Sequence, residues 1–128
     1  LIFARSSQKY LLSINNNSVN KTIRNEAKEA YISYMTGIEN ALRENKKNGY
    51  ITSKNITLAD ICFFCEFSLF YREIIPLNNP KNGINSIINE IGPKPFSLSI
   101  QHFKKLRKHA YFKIDAKKYL GGIEKKLT

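Results

Sequence analysis

The segment from Ile56 to Pro76 constrains the fold more than any other part of this chain. It opens Ile56-Thr57-Leu58-Ala59-Asp60-Ile61, in which Thr57 is placed to cap a helix, its hydroxyl accepting the backbone N–H of Asp60. The Asp60 carboxylate can reach back to the Thr57 N–H, which makes a capping box with Asp where Glu is commoner. Ile56 and Ile61 stand on either side at the hydrophobic staple positions. The predicted helix runs from Leu58 to about Ile75, where Pro76 stops it. Leu58, Ile61, Cys62, Cys65 and Leu69 form one face, and Phe63, Phe64, Phe67, Phe70, Tyr71 and Ile74 cover most of the rest. A helix apolar on nearly every side is expected in the middle of a bundle.

The flanking sequence supplies the other helices of an all-α bundle. Leu1 to Ile14 reads as a helix with Phe3, Ser7, Tyr10, Leu11 and Ile14 on one face, broken by Asn15-Asn16-Asn17-Ser18. A long helix from about Asn20 to Lys47 carries Ile23, Ala27, Ala30, Tyr34, Ile38, Ala41 and Leu42 at three- and four-residue spacing. Gly49 is expected to end it, with Lys46 and Lys47 in its last turn. Beyond Pro76 comes a connection with one short helix, Ile84 to Ile91. A helix opening at Phe96 or Ser97 then turns Ile100, Phe103, Leu106 or Arg107, and Ala110 inward and Lys104, Lys105 and Lys108 outward. A last turn or two from Asp115 to Leu120 packs Tyr119 and Leu120 before Gly121-Gly122. No strand alternation, internal repeat or low-complexity linker is present.

At 128 residues and 42% apolar side chains the chain suits one domain with its own core, residues 1–128. Its 17 isoleucines and 15 aromatics exclude a disordered basic arm, despite a net charge of +11. No apolar run reaches the ~18 residues of a membrane span, because Glu66 interrupts the longest. No signal peptide is visible, and two cysteines cannot form a disulfide scaffold, so a cytoplasmic setting is expected. The absence of an initiator Met points to a fragment of a longer protein.

The chain resembles the C-terminal, all-helical domain of the glutathione transferase superfamily. The residues that carry the resemblance are Ile56-Thr57-Leu58-Ala59-Asp60-Ile61, which match the family's box and staple on its central helix. Gly49-Tyr50-Ile51 looks like the segment leading to that helix, and the run from Phe103 to Phe112 resembles a later helix and turn. Members often carry Pro where this chain has Ala110. The continuation Cys62 to Phe70 looks most like bacterial members.

The resemblance implies a thioredoxin-like domain upstream, which in the family binds most of the glutathione co-substrate and activates its thiol. It implies inactivity for this chain alone, a homodimeric parent, and a second pocket for a small apolar electrophile. Phe3, Ser6, Ser7, Tyr10 and Arg72 are the residues that the resemblance places to line that pocket, with ordinary interhelical packing the equal alternative for Phe3 and Tyr10. The alternative is a noncatalytic docking module of the kind found in elongation factor and aminoacyl-tRNA synthetase complexes, with RNA contact.

The residues themselves assign no catalytic group and no metal ligand. Cys62-Phe63-Phe64-Cys65 is a C-x-x-C, but it lies beyond the first helical turn among aromatics, so both cysteines are expected in the core. His102 and His109, seven apart, are expected on one helix face and lack the usual zinc spacing. Asp60 is read as a cap, not a catalytic acid, and no Ser-His-Asp set or phosphate loop is legible. Residues 101–128 hold nine Lys/Arg and two acids. Lys104, Lys105, Arg107, Lys108, Lys113, Lys117, Lys118, Lys125 and Lys126 make a plausible phosphate-binding surface, interleaved with Phe103, Tyr111, Phe112 and Tyr119. Codon bias toward Lys, Asn and Ile accounts for that charge equally well. Because Phe103 and Tyr119 are assigned inward, nucleic acid is the less favoured partner.

Overall fold

A computed structural model of the chain describes residues 2–73 and 85–120. Among these residues there is no strand. The elements are α1 (Ile2–Asn15), α2 (Lys21–Glu44), α3 (Leu58–Tyr71), the short α4 (Ile87–Ile91), a 3-10 turn (Lys94–Phe96), α5 (Ser97–Lys108) and α6 (Lys113–Leu120). The all-α class is therefore as the periodicity predicts. The stop at Pro76, the inward Ile74, the start at Ile84, the packing of Tyr119 and Leu120 and the end at Gly121 and Gly122 lie outside the described residues and side chains.

Helix ends follow local chemistry. Asn17 takes a left-handed conformation at φ 54°, and the N–H groups of Asn17 and Ser18 bond the carbonyls of Ile14 and Ser13. That is a Schellman turn, with Asn in the place usually held by Gly. The Asn20 side chain accepts the Ile23 N–H at 2.9 Å and opens α2. Helix α2 ends at Glu44, three residues before the expected Lys47, so Lys46 and Lys47 fall beyond its last turn. Asn45 is the cause: its side-chain amide donates to the carbonyls of Ala41 and Ile51 and ties the helix end to the next segment. Gly49, at φ 86°, shapes the turn that follows and not the helix terminus.

Helix α1 packs on α2 and α3, α5 packs on α2 and α3, and α6 closes on α5. Aromatic rings fill the interior. Tyr31 stacks on Phe70 at 4.9 Å, Phe3 on Tyr34 at 4.6 Å, and Phe64 on Phe112 at 4.5 Å, while Phe67 tilts against Phe103 at 4.7 Å. On α2 the buried line is Ala27, Tyr31, Met35, Glu39 and Leu42. Ala30, Tyr34, Ile38 and Ala41, expected on the inner face, flank it half-buried. On α5, Ile100, Phe103 and Leu106 point inward as predicted, but Ala110 lies past the helix end and is exposed.

Three buried carboxylates join the helices. Glu39 accepts the N–H groups of Leu98 and Ser99 at 3.0 and 2.8 Å and the Ser99 hydroxyl at 2.7 Å. It caps α5 from another helix, where Phe96 at the cap position offers no side-chain acceptor. Glu73 accepts the Ile87 and Ile88 N–H groups of α4 and the Tyr10 hydroxyl of α1. Burial pushes the Glu73 carboxyl above its ordinary range, against the pull of these donors. Its inward turn explains why α3 ends at Tyr71 and not near Ile75: the Arg72 and Glu73 N–H groups already bond back to Leu69 and Phe70. Asp60 is the third.

Candidate functional site

Asp60 is fully buried and draws donors from three residues, Thr57, Ile51 and His102. Its carboxylate accepts the Thr57 N–H at 2.9 Å, the Ile51 N–H at 3.1 Å and Nε2 of His102 at 2.8 Å. The capping-box geometry is present at Thr57, but its hydroxyl makes no cap hydrogen bond: it lies 3.0 Å from the Thr52 hydroxyl and 3.4 Å from the Asp60 carboxylate, and the Asp60 N–H bonds the Thr57 carbonyl. Ile56 packs against the core, whereas Ile61 is 42% exposed and stands outside it. Burial acts to raise the Asp60 pKa, but the Thr57 and Ile51 N–H groups and His102 outweigh it and hold the carboxyl below its usual value. With a carboxylate as acceptor, the His102 imidazole is the neutral tautomer that carries its proton on Nε2. Burial lowers the His102 pKa below 6.5, and Asp60 only partly opposes this.

A consequence is a defined pH dependence. A histidine with a lowered folded-state pKa binds protons more tightly when unfolded, so its contribution to stability is complete above pH 6.5. That contribution is lost as the pH falls from 6.5 through the folded value. Between pH 7.5 and 5.5 the raised Glu73 carboxyl works in the opposite direction, so the test is a difference: in urea melts the parent should lose more stability over this range than His102→Gln, which keeps a donor for Asp60. An equally steep slope in the variant would contradict the assignment.

Asp60 and His102 do not form a catalytic triad. No hydroxyl or thiol is hydrogen-bonded to His102 among the described residues. The ring is instead boxed by Tyr50 edge-on at 5.9 Å and Phe63 at 6.0 Å. Lys105 closes the outside, donating to the Gly49 carbonyl at 2.7 Å and lying 4.0 Å over the Tyr50 ring. His109 caps the end of α5, so the two histidines do not share a face. No group of three metal-ligating side chains exists among the described residues.

Helix α3 departs most from expectation. It buries Phe63, Phe64, Phe67, Phe70 and Tyr71 but leaves its other apolar face toward solvent. Leu58 is 71% exposed, and Cys62 and Cys65 are both exposed and not joined in a disulfide. The cysteines are therefore not core residues. Sequence alone gave no sign of this, because a helix apolar all round carries no moment to say which side turns outward. Phe64, Cys65, Ser68 and Leu69 of α3, with Asp115 and Lys118 of α6, line a cavity of about 650 Å³. The Ser68 hydroxyl, 3% exposed, has no hydrogen-bond partner among the described residues. Partial burial, with Cys62 and Glu66 nearby, raises the Cys65 thiol pKa, so it is a poor nucleophile at neutral pH. Iodoacetamide should modify both cysteines in the native protein without denaturant. The Cys65 rate should keep rising with pH beyond the ordinary thiol range; protection of both thiols until unfolding would contradict the exposed face.

The pocket residues assigned by resemblance do not gather at this cavity. Phe3, Ser7 and Tyr10 are core residues of α1: Phe3 stacks on Tyr34, Ser7 donates to the Phe3 carbonyl, and Tyr10 donates to Glu73. Ser6 and Arg72 are half-buried and are not among the described residues that line this cavity. No described helix is long and apolar enough to cross a membrane. Comparison with protein-family models, curated proteins and solved structures gives no match for this chain.

Proposed function

We propose that this chain is the C-terminal helical domain of a glutathione-transferase-like protein and that the cavity between α3 and α6 holds a small apolar electrophile. The supporting observation is the pairing of two features on one helix. The N-terminus of α3 carries the box from Ile56 to Ile61, with its Asp60 at the centre of the bundle, and the outer face of α3 walls an apolar cavity. In the family the electrophile pocket draws its walls from the first helix of this domain and from its central or C-terminal helices. Here the central and C-terminal helices supply the wall, and the first helix spends its aromatic residues on the core.

The lining suits an apolar body with one polar edge at Asp115 and Lys118. The described lining offers few partners for glutathione, whose two carboxylates and ammonium need several charged or backbone groups. Glutathione binding and thiol activation on this reading belong to a separate thioredoxin-like domain, and the active parent is a homodimer. The contribution of this chain is to bind and orient the apolar reactant and to exclude water from it.

Two measurements test the reading. The coding sequence ahead of Leu1 should specify a thioredoxin-like domain with a Ser, Tyr or Cys near its start; an unrelated upstream sequence would remove the proposal. In this chain, 1,3-dinitrobenzene, an unreactive aryl analogue, should slow alkylation of Cys65 at least several-fold and shift the amide resonances of Ser68 and Lys118. Unchanged Cys65 reactivity at saturating ligand would remove the cavity from the proposal.

A further inference from the structure

The turn between α5 and α6 gathers positive charge. Arg107 and Lys108 from the end of α5, and Lys113 and Lys117 from α6, line one cavity of about 460 Å³ together with Ala116. No acid lines it. No ion pair joins Lys108, Lys113 or Lys117 to a carboxylate among the described residues. The helix dipole accounts for part of this pattern and not the rest. Arg107 and Lys108 sit at the negative end of α5, where cations are favourable, but Lys113 is the first residue of α6, at its positive end. Lys108, Lys113 and Lys117 converge there beside Arg107, and like charges repel one another unless an anion lies among them.

An aromatic ring stands in the same turn. Tyr111 is 73% exposed and is held at 4.7 Å from the His109 ring, which also accepts the Tyr111 N–H. The other aromatics of the basic stretch whose side chains are described, Phe103 and Phe112, are buried. Tyr111 is thus the ring available for stacking, two residues from Lys113.

We infer that this turn binds single-stranded nucleic acid, with Arg107, Lys108, Lys113 and Lys117 on consecutive phosphates and Tyr111 stacked on an unpaired base. Phosphates alone would also be met by an anionic lipid surface. The exposed ring favours a strand with unstacked bases, because a base presents a π-face and a headgroup does not. This inference is independent of the electrophile cavity, which lies on another face of α6.

Fluorescence anisotropy of the full chain with a fluorescein-labelled 12-nucleotide oligouridine RNA tests it. Four phosphate contacts predict that raising salt from 50 to 200 mM weakens binding roughly 50-fold, a log–log slope near −2.8. The double variant Lys113→Gln/Lys117→Gln should roughly halve that slope. Tyr111→Ala should weaken binding about 5- to 100-fold with the slope unchanged. All three positions are exposed, so the variants should keep the parent circular dichroism. Lys21→Gln/Lys54→Gln, remote lysines with the same charge change, should stay within twofold. The proposal is overturned by absence of saturable binding at 50 mM salt, by equal weakening in the remote lysine variant, or by a Tyr111→Ala affinity within twofold of the parent. Phosphatidylserine vesicles that bind while the RNA does not would also overturn it.

Discussion

Asp60→Ala should destabilise the protein by about 3–5 kcal/mol, a large share of the stability of a domain this size. The loss exceeds the ~1 kcal/mol of an ordinary N-cap because Asp60 does more than cap its own helix. It serves the Thr57 N–H, the Ile51 N–H and the His102 ring, so alanine strands two donors in the interior and a third that is half-buried. Urea denaturation should show a lower midpoint with an unchanged m-value, and the thermal midpoint should fall by roughly 10–20 °C. Asp60→Ala/His102→Phe should recover part of the loss, since phenylalanine carries no donor to strand. A loss below about 1 kcal/mol, within the range of a surface cap, would contradict the role described.

Glu39→Ala is expected to cost about 2–4 kcal/mol. Its carboxylate is the acceptor for the first N–H groups of α5 and for the Ser99 hydroxyl, and Phe96 provides no local cap to replace it. The effect should be concentrated where the bonds are lost. Hydrogen exchange of the Leu98 and Ser99 amides should accelerate by orders of magnitude more than that of Phe67 in α3. Glu39→Gln, which keeps one oxygen, should lose about half as much. Uniform acceleration across all helices would mean that Glu39 acts on global stability alone.

The two substitutions differ in how far sequence reveals their targets. Asp60 announces itself through Thr57 three residues earlier, a local pattern set by the reach of short side chains to neighbouring N–H groups. Glu39 falls on a line of four-residue steps with Ala27, Tyr31 and Met35. The reading that favoured Ala30, Tyr34 and Ile38 passed over it because an acid on a core line contradicts hydrophobic periodicity. A charged residue that keeps the period of a buried face is itself a signal for a tertiary acceptor. Glu73 carried no comparable signal, since its donors lie on α1 and α4.

The α3 face shows the other limit. Phe63, Phe67 and Phe70 are as apolar as Leu58, Ile61 and Cys62, and only the positions of α1, α2 and α5 choose between them. The same holds for Tyr111 and Phe112, adjacent aromatics in one basic stretch. One is exposed, and the other is buried against Phe64.

Sequence by itself determined the helical class, the start of α2 and α3, and the identity of Asp60 as a cap. These rest on interactions within about four residues. The partner of Asp60 at His102, the capping of α5 by Glu39, the outward turn of the cysteines and the convergence of Lys113 and Lys117 with Arg107 were decided only by the tertiary structure. Each depends on how helices distant in sequence come to lie against one another.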